Sequence, residues 1–418
     1  MRVAARFSMG DSASEGQDRT ERVERISFAE DGMAVELVPL EAIRDAEASV
    51  KARYGDGGVS DVLADGMAGS REEDDLRLAS LQETIAARMR KRGMASVQAE
   101  RIVLTNGLEH SLELVVRMLT KPGDPVMVEC PSGSLGLSVL ARLGLQAIAV
   151  ESDEQGIRME ALRRLLAGDA VKPKLLYAAP TYGDPTGHVW SLKRRREVLV
   201  LCREHGVRVV EDDSCGELKL HAHSPDVPTL YALAGEAGGV LYASSFESMI
   251  APSLRVGWIA VDEELVGKLA ADDRLGKEDE AHTPSAPVID QLVLAELLLD
   301  FDLDAHVQRL ADTYRERMYM LQRQLQVHQA AGAKLTWSEP EGGRFIWLTL
   351  PDGLDAEALR RITLMMGVDF APGSRYYAGE PKRNTLRLCF TGCSVGQINQ
   401  GIDIIAEAIG DFTGRWRD

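Results

Sequence analysis

Val240-Leu-Tyr-Ala-Ser-Ser-Phe-Glu-Ser-Met-Ile-Ala-Pro-Ser-Leu-Arg-Val-Gly-Trp-Ile259 is the stretch whose reading decides the fold. Its first five residues form a short apolar run, the last of a series at 101–105, 125–129, 146–150, 174–178, 207–211 and 240–244. Amphipathic helical segments separate these runs. Residues 107–119, for example, place Leu108, Leu112, Val115 and Leu119 on one helical face. Strands alternating with helices predict a parallel sheet with crossover helices. Ligands of such sheets sit beyond the carboxyl ends of the strands, so the residues following each run are the functional candidates.

At 418 residues the chain is long enough for one large and one smaller domain, each with a buried core. It is 45% hydrophobic and 27% charged, as ordinary globular proteins are. A net charge of −17 argues against nucleic-acid and anionic-membrane partners, because both need a basic face. No apolar run approaches the roughly 20 residues of a membrane span. Residues 1–25 are polar, lack the apolar centre of a secretory signal, and read as a mobile tail. Cys130, Cys202, Cys215, Cys389 and Cys393 show no paired zinc spacing and fit a cytoplasmic protein with free thiols. Helical periodicity runs from about Asp290 to Val327, with a break near 301–304. Strand-like runs at 344–350 and 385–390 then mix with helices. The expected division is a tail over 1–25, an arm over 26–70 that belongs partly with the small domain, a large domain over 71–300 and a small C-terminal domain over 301–418.

Several motifs arrive in a fixed order. They are Pro180-Thr-Tyr-Gly-Asp-Pro-Thr-Gly187, Val210-Glu-Asp-Asp-Ser214, the quoted stretch with its Leu-Arg-Val-Gly-Trp, and Asn384-Thr-Leu-Arg-Leu-Cys-Phe390. From Ile26 to the C-terminus the chain resembles the fold-type I pyridoxal-phosphate aminotransferase family (class I/II), in its aminoadipate-aminotransferase and MocR-like branch. The resemblance implies an α/β fold: a large domain on a mainly parallel seven-stranded sheet, plus a smaller C-terminal α/β domain, assembled as a homodimer. It implies that Arg255 holds a cofactor phosphate and that Asp212 pairs with the pyridine nitrogen, which makes the ring a better electron sink. Arg387 falls where the family clamps a substrate carboxylate, a task suited to the guanidinium fork. Asn106 and Gly107 open a helix whose free N–H groups favour an anion. Tyr182 and Ser245 join this substrate- and anion-binding set, with Arg344, Arg375, Tyr376 and Tyr377 near the substrate side. A solvated strand end is the plain alternative for each acid, and a surface or structural ion pair for each arginine.

The departures fall on cofactor-handling positions. Ser248 stands where the resemblance puts the Schiff-base lysine, and a hydroxyl cannot do that amine's chemistry. Gly133 stands for an aromatic that stacks on the ring, Asp184 for an asparagine donor, and Glu247 for a small hydroxyl residue beside the phosphate. Lost contacts of this kind are worth about 1–3 kcal/mol each. Together they would weaken a cofactor by orders of magnitude. The expectation is therefore an enzyme of specialised metabolism that needs no cofactor and no metal. Its acid–base or nucleophilic set would be Ser248, Glu247, Asp212, Asp184 and His110, with neighbouring carboxylates raising one another's pKa. Its substrate would carry a carboxylate or phosphate, held by Arg255 and Arg387. Two alternatives stay open: an enzyme that holds pyridoxal or pyridoxamine phosphate without a covalent bond, and an inactive binding or regulatory homologue. Lys219 is the one lysine placed to substitute for the missing amine.

Overall fold

The structure is a computed structural model that describes residues 25–54, 72–168, 172–221, 223–224, 226–271 and 288–414. The predicted tail lies outside these residues except for Arg25, as does the end of the predicted arm.

Strand β1 (Ile26–Ser27) precedes the main sheet. That sheet is built from β2 (Ile102–Thr105), β3 (Pro125–Cys130), β4 (Gln146–Asp153), β5 (Gly156–Ile157), β6 (Leu175–Ala178), β7 (Arg208–Asp212), β8 (Val240–Ser245) and β9 (Gly257–Ala260). The spatial order is β2-β9-β8-β7-β6-β3-β4-β5. Neighbours from β4 through β8 run parallel, and β9 runs antiparallel between β8 and β2. Eight strands stand where seven are expected, because the two residues of β5 fold back antiparallel on the end of β4.

Helices cover both faces, so the central strands are apolar on both sides rather than alternating. Val209 and Tyr242 pack with Met89, Leu176 and Trp258 on one face. Val210 and Leu241 pack with Leu112, Val115 and Ile259 on the other. This double burial is why central runs such as 207–211 and 240–244 read as continuous hydrophobic stretches.

A second sheet joins β10 (Thr336–Trp337), β11 (Phe345–Thr349), β13 (Ala371–Pro372) and β14 (Thr385–Cys389) in the antiparallel order β10-β11-β14-β13. β1 pairs in parallel with β12 (Val368–Asp369), which ties the start of the predicted arm to the C-terminal part. The expected helical break separates helices Val288–Asp300 and Leu303–Ala330. Asp302 enforces it by accepting a hydrogen bond from the Ala305 N–H at 2.9 Å, an N-cap. All five cysteines are free thiols. Among the described residues no helix is long and apolar enough to cross a membrane.

Candidate active site

Strands β2, β3, β6, β7 and β8 point the same way, so their carboxyl ends converge at one edge. A cavity of about 260 Å³ opens there, lined by residues at or just beyond each end: Asn106, Gly133, Ala179, Asp212 and Ser245. Topology thus brings together side chains that lie more than a hundred positions apart in sequence.

Asp212 sits at this edge, 7% exposed. One carboxylate oxygen accepts the Tyr177 hydroxyl at 2.7 Å and the other the Ser214 N–H at 3.0 Å. Burial pushes its carboxyl above the usual range, against the pull of those donors. The neighbouring Asp213 turns the other way, accepting from Tyr242 at 2.7 Å and pairing with Arg92 at 2.6 Å. Only the first of the two aspartates faces the cavity.

Helix Gly107–Leu119 begins at the same edge, and its first turn offers free N–H groups to an anion. Glu247 supplies one from within the chain. Its carboxylate accepts the Ser245 hydroxyl at 3.2 Å, and a Cβ on Gly107 would lie 2.2 Å from its Oε1. Gly107 therefore has no side chain because the carboxylate fills that space, and its φ of +77° suits glycine alone. Burial raises the Glu247 carboxyl, opposed by Ser245, Arg344, the Leu108 N–H and Arg255.

A second anion position is also filled from within. Arg387 on β14 is 3% exposed. One Nη donates to Asp184 at 3.1 Å, and the other to Asp31 at 2.5 Å and to the Ala29 carbonyl at 2.9 Å. The guanidinium carbon lies 4.1 Å from the Phe345 ring centre and 5.3 Å from that of Tyr376. Asp31 and Asp184 line the cavity, whereas Arg387 stands behind them. Burial raises the Asp184 carboxyl to about 6, with Arg387 opposing.

Among the predicted catalytic residues, Ser248, Glu247, Asp212 and Asp184 line the cavity, and His110 does not. The His110 Nδ1 accepts the Asn106 N–H at 3.0 Å, so the ring is held against its own helix start. The Ser248 hydroxyl donates to the Ser214 carbonyl at 2.6 Å, and among the described residues it is bonded neither to Glu247 nor to His110. Neither of these two acid–base candidates is therefore paired with Ser248 as a base for its hydroxyl. Of the anion-binding set, Asn106, Tyr182, Ser245 and Arg255 line the cavity, while Gly107 touches it through Glu247. Lys219 is elsewhere, its Nζ bonded to Asp226 at 2.7 Å. Sequence reasoning missed Tyr177 and Asp31. Tyr177 was findable as a strand residue one turn of the pleat before the sheet edge. Asp31 carried no signal, because 356 positions separate it from Arg387.

A family model described as aspartate amino-transferase matches residues 47–412. The 2-aminoadipate transaminase of Thermus thermophilus is 30% identical over 392 residues, covering 93% of this chain and 91% of that protein. Two solved structures share the architecture at 28% identity. One is the alpha-aminoadipate aminotransferase of Thermus thermophilus complexed with N-(5'-phosphopyridoxyl)-L-leucine, with a TM-score of 0.78 over 94% of each chain. The other is the kynurenine aminotransferase of Pyrococcus horikoshii in complex with pyridoxamine phosphate (PMP), with a TM-score of 0.80 over 94% of this chain and 92% of that one. These findings overturn the expectation that no cofactor is involved: the similar proteins are aminotransferases, and both structures hold a phosphopyridoxyl group.

Proposed function

The chain belongs to the aspartate amino-transferase family of fold-type I pyridoxal-phosphate enzymes, and on that premise we propose that it is an aminotransferase-type enzyme holding pyridoxal or pyridoxamine phosphate without a covalent bond. The observation that carries this reading is the buried Asp212 carboxylate, kept facing the cavity by Tyr177 and Ser214. A buried acid of this kind suits a protonated ring nitrogen. The rest of the cavity fits the group in part. Arg255, Ser245 and the start of helix Gly107–Leu119 form an anion-binding set. Glu247 lies within that set as a competing anion. Ser248 offers no amine, so a bound cofactor is retained by polar contacts alone.

When bound, the cofactor would supply an electron sink and, in its pyridoxamine form, an exchangeable amine. The chain's own residues supply position and proton handling. Asp212 holds charge at the ring end, and the Tyr177 hydroxyl fixes the orientation of its Oδ2. Asp184, raised to about 6, titrates near neutrality and has its Oδ2 beside the open position at Gly133, 3.6 Å from where a Cβ would stand. It is the proposed carrier of a proton to and from substrate. Ser248 keeps the turn after β8 closed through the Ser214 carbonyl.

Calorimetric titration of the purified protein with pyridoxamine phosphate tests this reading. Saturable one-site binding is expected, weakened at least about tenfold by Arg255→Ala, which is about 1.4 kcal/mol. Absence of saturable binding, or binding indifferent to both Arg255→Ala and Asp212→Asn, would sink it.

A further inference from the structure

We propose that the substrate of this cavity is an amine that lacks an α-carboxylate. This deepens, and rests on, the aminotransferase-type reading of the same site. The first observation is the state of Arg387. Both of its terminal nitrogens are taken by carboxylates of the chain, Asp184 at 3.1 Å and Asp31 at 2.5 Å. Phe345 and Tyr376 lie within reach of its guanidinium as well. An incoming carboxylate finds no open fork there, and it meets the two aspartates before the arginine.

The second observation is the balance of charge on the wall. Among the described residues the cavity is lined by the carboxylates Asp31, Glu109, Asp184, Asp212 and Glu247 and by the guanidinium groups of Arg255 and Arg344, with Arg387 behind them on Asp31 and Asp184. Glu109 is compensated from outside by Arg142 at 2.6 Å. The Arg344 guanidinium is already turned to Asp31, donating to its carbonyl at 3.1 Å. With Glu109 set aside, four carboxylates stand against Arg255, Arg344 and Arg387, an excess of one carboxylate that favours a cation over an added carboxylate. Arg255 is left for the anionic end of the cofactor.

A third observation separates this from a general acidic patch. The Asp184 side chain is 23% exposed, whereas that of Asp31 is 51% exposed. Asp184 is therefore the more enclosed of the two carboxylates on Arg387, and Asp31 the more exposed. Specificity against a carboxylate rests mainly on Asp184, with Asp31 adding to it.

The test uses ligand pairs that differ only by the carboxylate: isoamylamine with L-leucine, and phenethylamine with L-phenylalanine. Binding to the full chain is measured by calorimetry, both without cofactor and with saturating pyridoxamine phosphate. Each amine is expected to bind at least about tenfold more tightly than its amino acid. Asp184→Asn is expected to narrow that gap, and Asp184→Asn with Asp31→Ala to abolish or reverse it. Both replacements are conservative or exposed, and circular dichroism checks that the fold is kept. Equal or tighter binding of the amino acids by the unaltered protein overturns the proposal, and so does failure of either amine to bind. Failure of pyridoxamine phosphate to bind, with the amine preference intact, overturns only the cofactor reading.

Discussion

Ser248 occupies a demanding position with a modest task. Its hydroxyl is 2.6 Å from the Ser214 carbonyl in a buried turn, so its removal leaves that carbonyl short of a donor. Ser248→Ala should therefore cost about 1 kcal/mol of stability in urea unfolding, the worth of one buried hydrogen bond. Pyridoxamine phosphate affinity should stay within about threefold, because the hydroxyl is directed at the protein. A loss of more than tenfold in affinity would show that the hydroxyl serves the ligand. Asp212 is the contrasting case. Asp212→Asn keeps the shape and its acceptor for Tyr177 but removes the charge, and should weaken pyridoxamine phosphate by about tenfold or more in the same titration. Asp212 and Ser248 are both legible in the sequence as positions after strand ends. Their hydrogen-bond partners are not, since those depend on side-chain directions across strands.

Elements fix what single residues cannot. The start of helix Gly107–Leu119 and the turn carrying Glu247 come from segments 140 positions apart, yet one was shaped to receive the other. A Cβ at Gly107 would sit 2.2 Å from Glu247 Oε1, and the backbone there has a φ of +77°. Gly107→Ala should cost about 1–3 kcal/mol, from both the steric clash and the left-handed backbone. Glu247→Ala in the same chain should recover the steric part and leave the backbone part, a coupling visible in a double-mutant cycle of urea unfolding. Strict additivity would mean that the carboxylate does not occupy the helix start. The helix itself was readable from its apolar spacing. The use of its first turn was not, because a helix start accepts an external phosphate and an internal carboxylate equally well.

At the scale of the whole molecule, the buried acids set a pH dependence. Burial raises Glu129 to about 8 and Glu211 to about 7, from an ordinary 4.5. Each therefore keeps its proton in the folded chain at pH values where the unfolded chain has released it. Their contribution is fully present below about 4.5 and is lost as pH rises through 7 to 8. Unfolding free energy should accordingly fall between pH 5 and pH 8. Glu129→Gln should flatten part of that slope, even if the amide pays a fixed cost facing the Trp190 N–H. A slope unchanged by Glu129→Gln would show that this carboxyl does not hold its proton. The sequence by itself determined the strand–helix alternation, because doubly covered strands must be apolar throughout, and it determined which residues stand at the strand ends. It also carried the motif order that marks the family. Only the tertiary structure decided that the two anion positions are filled by Glu247 and by Asp31 with Asp184. Those pairings join segments up to 356 positions apart, and charge complementarity at that separation leaves no periodicity or local pattern in the chain.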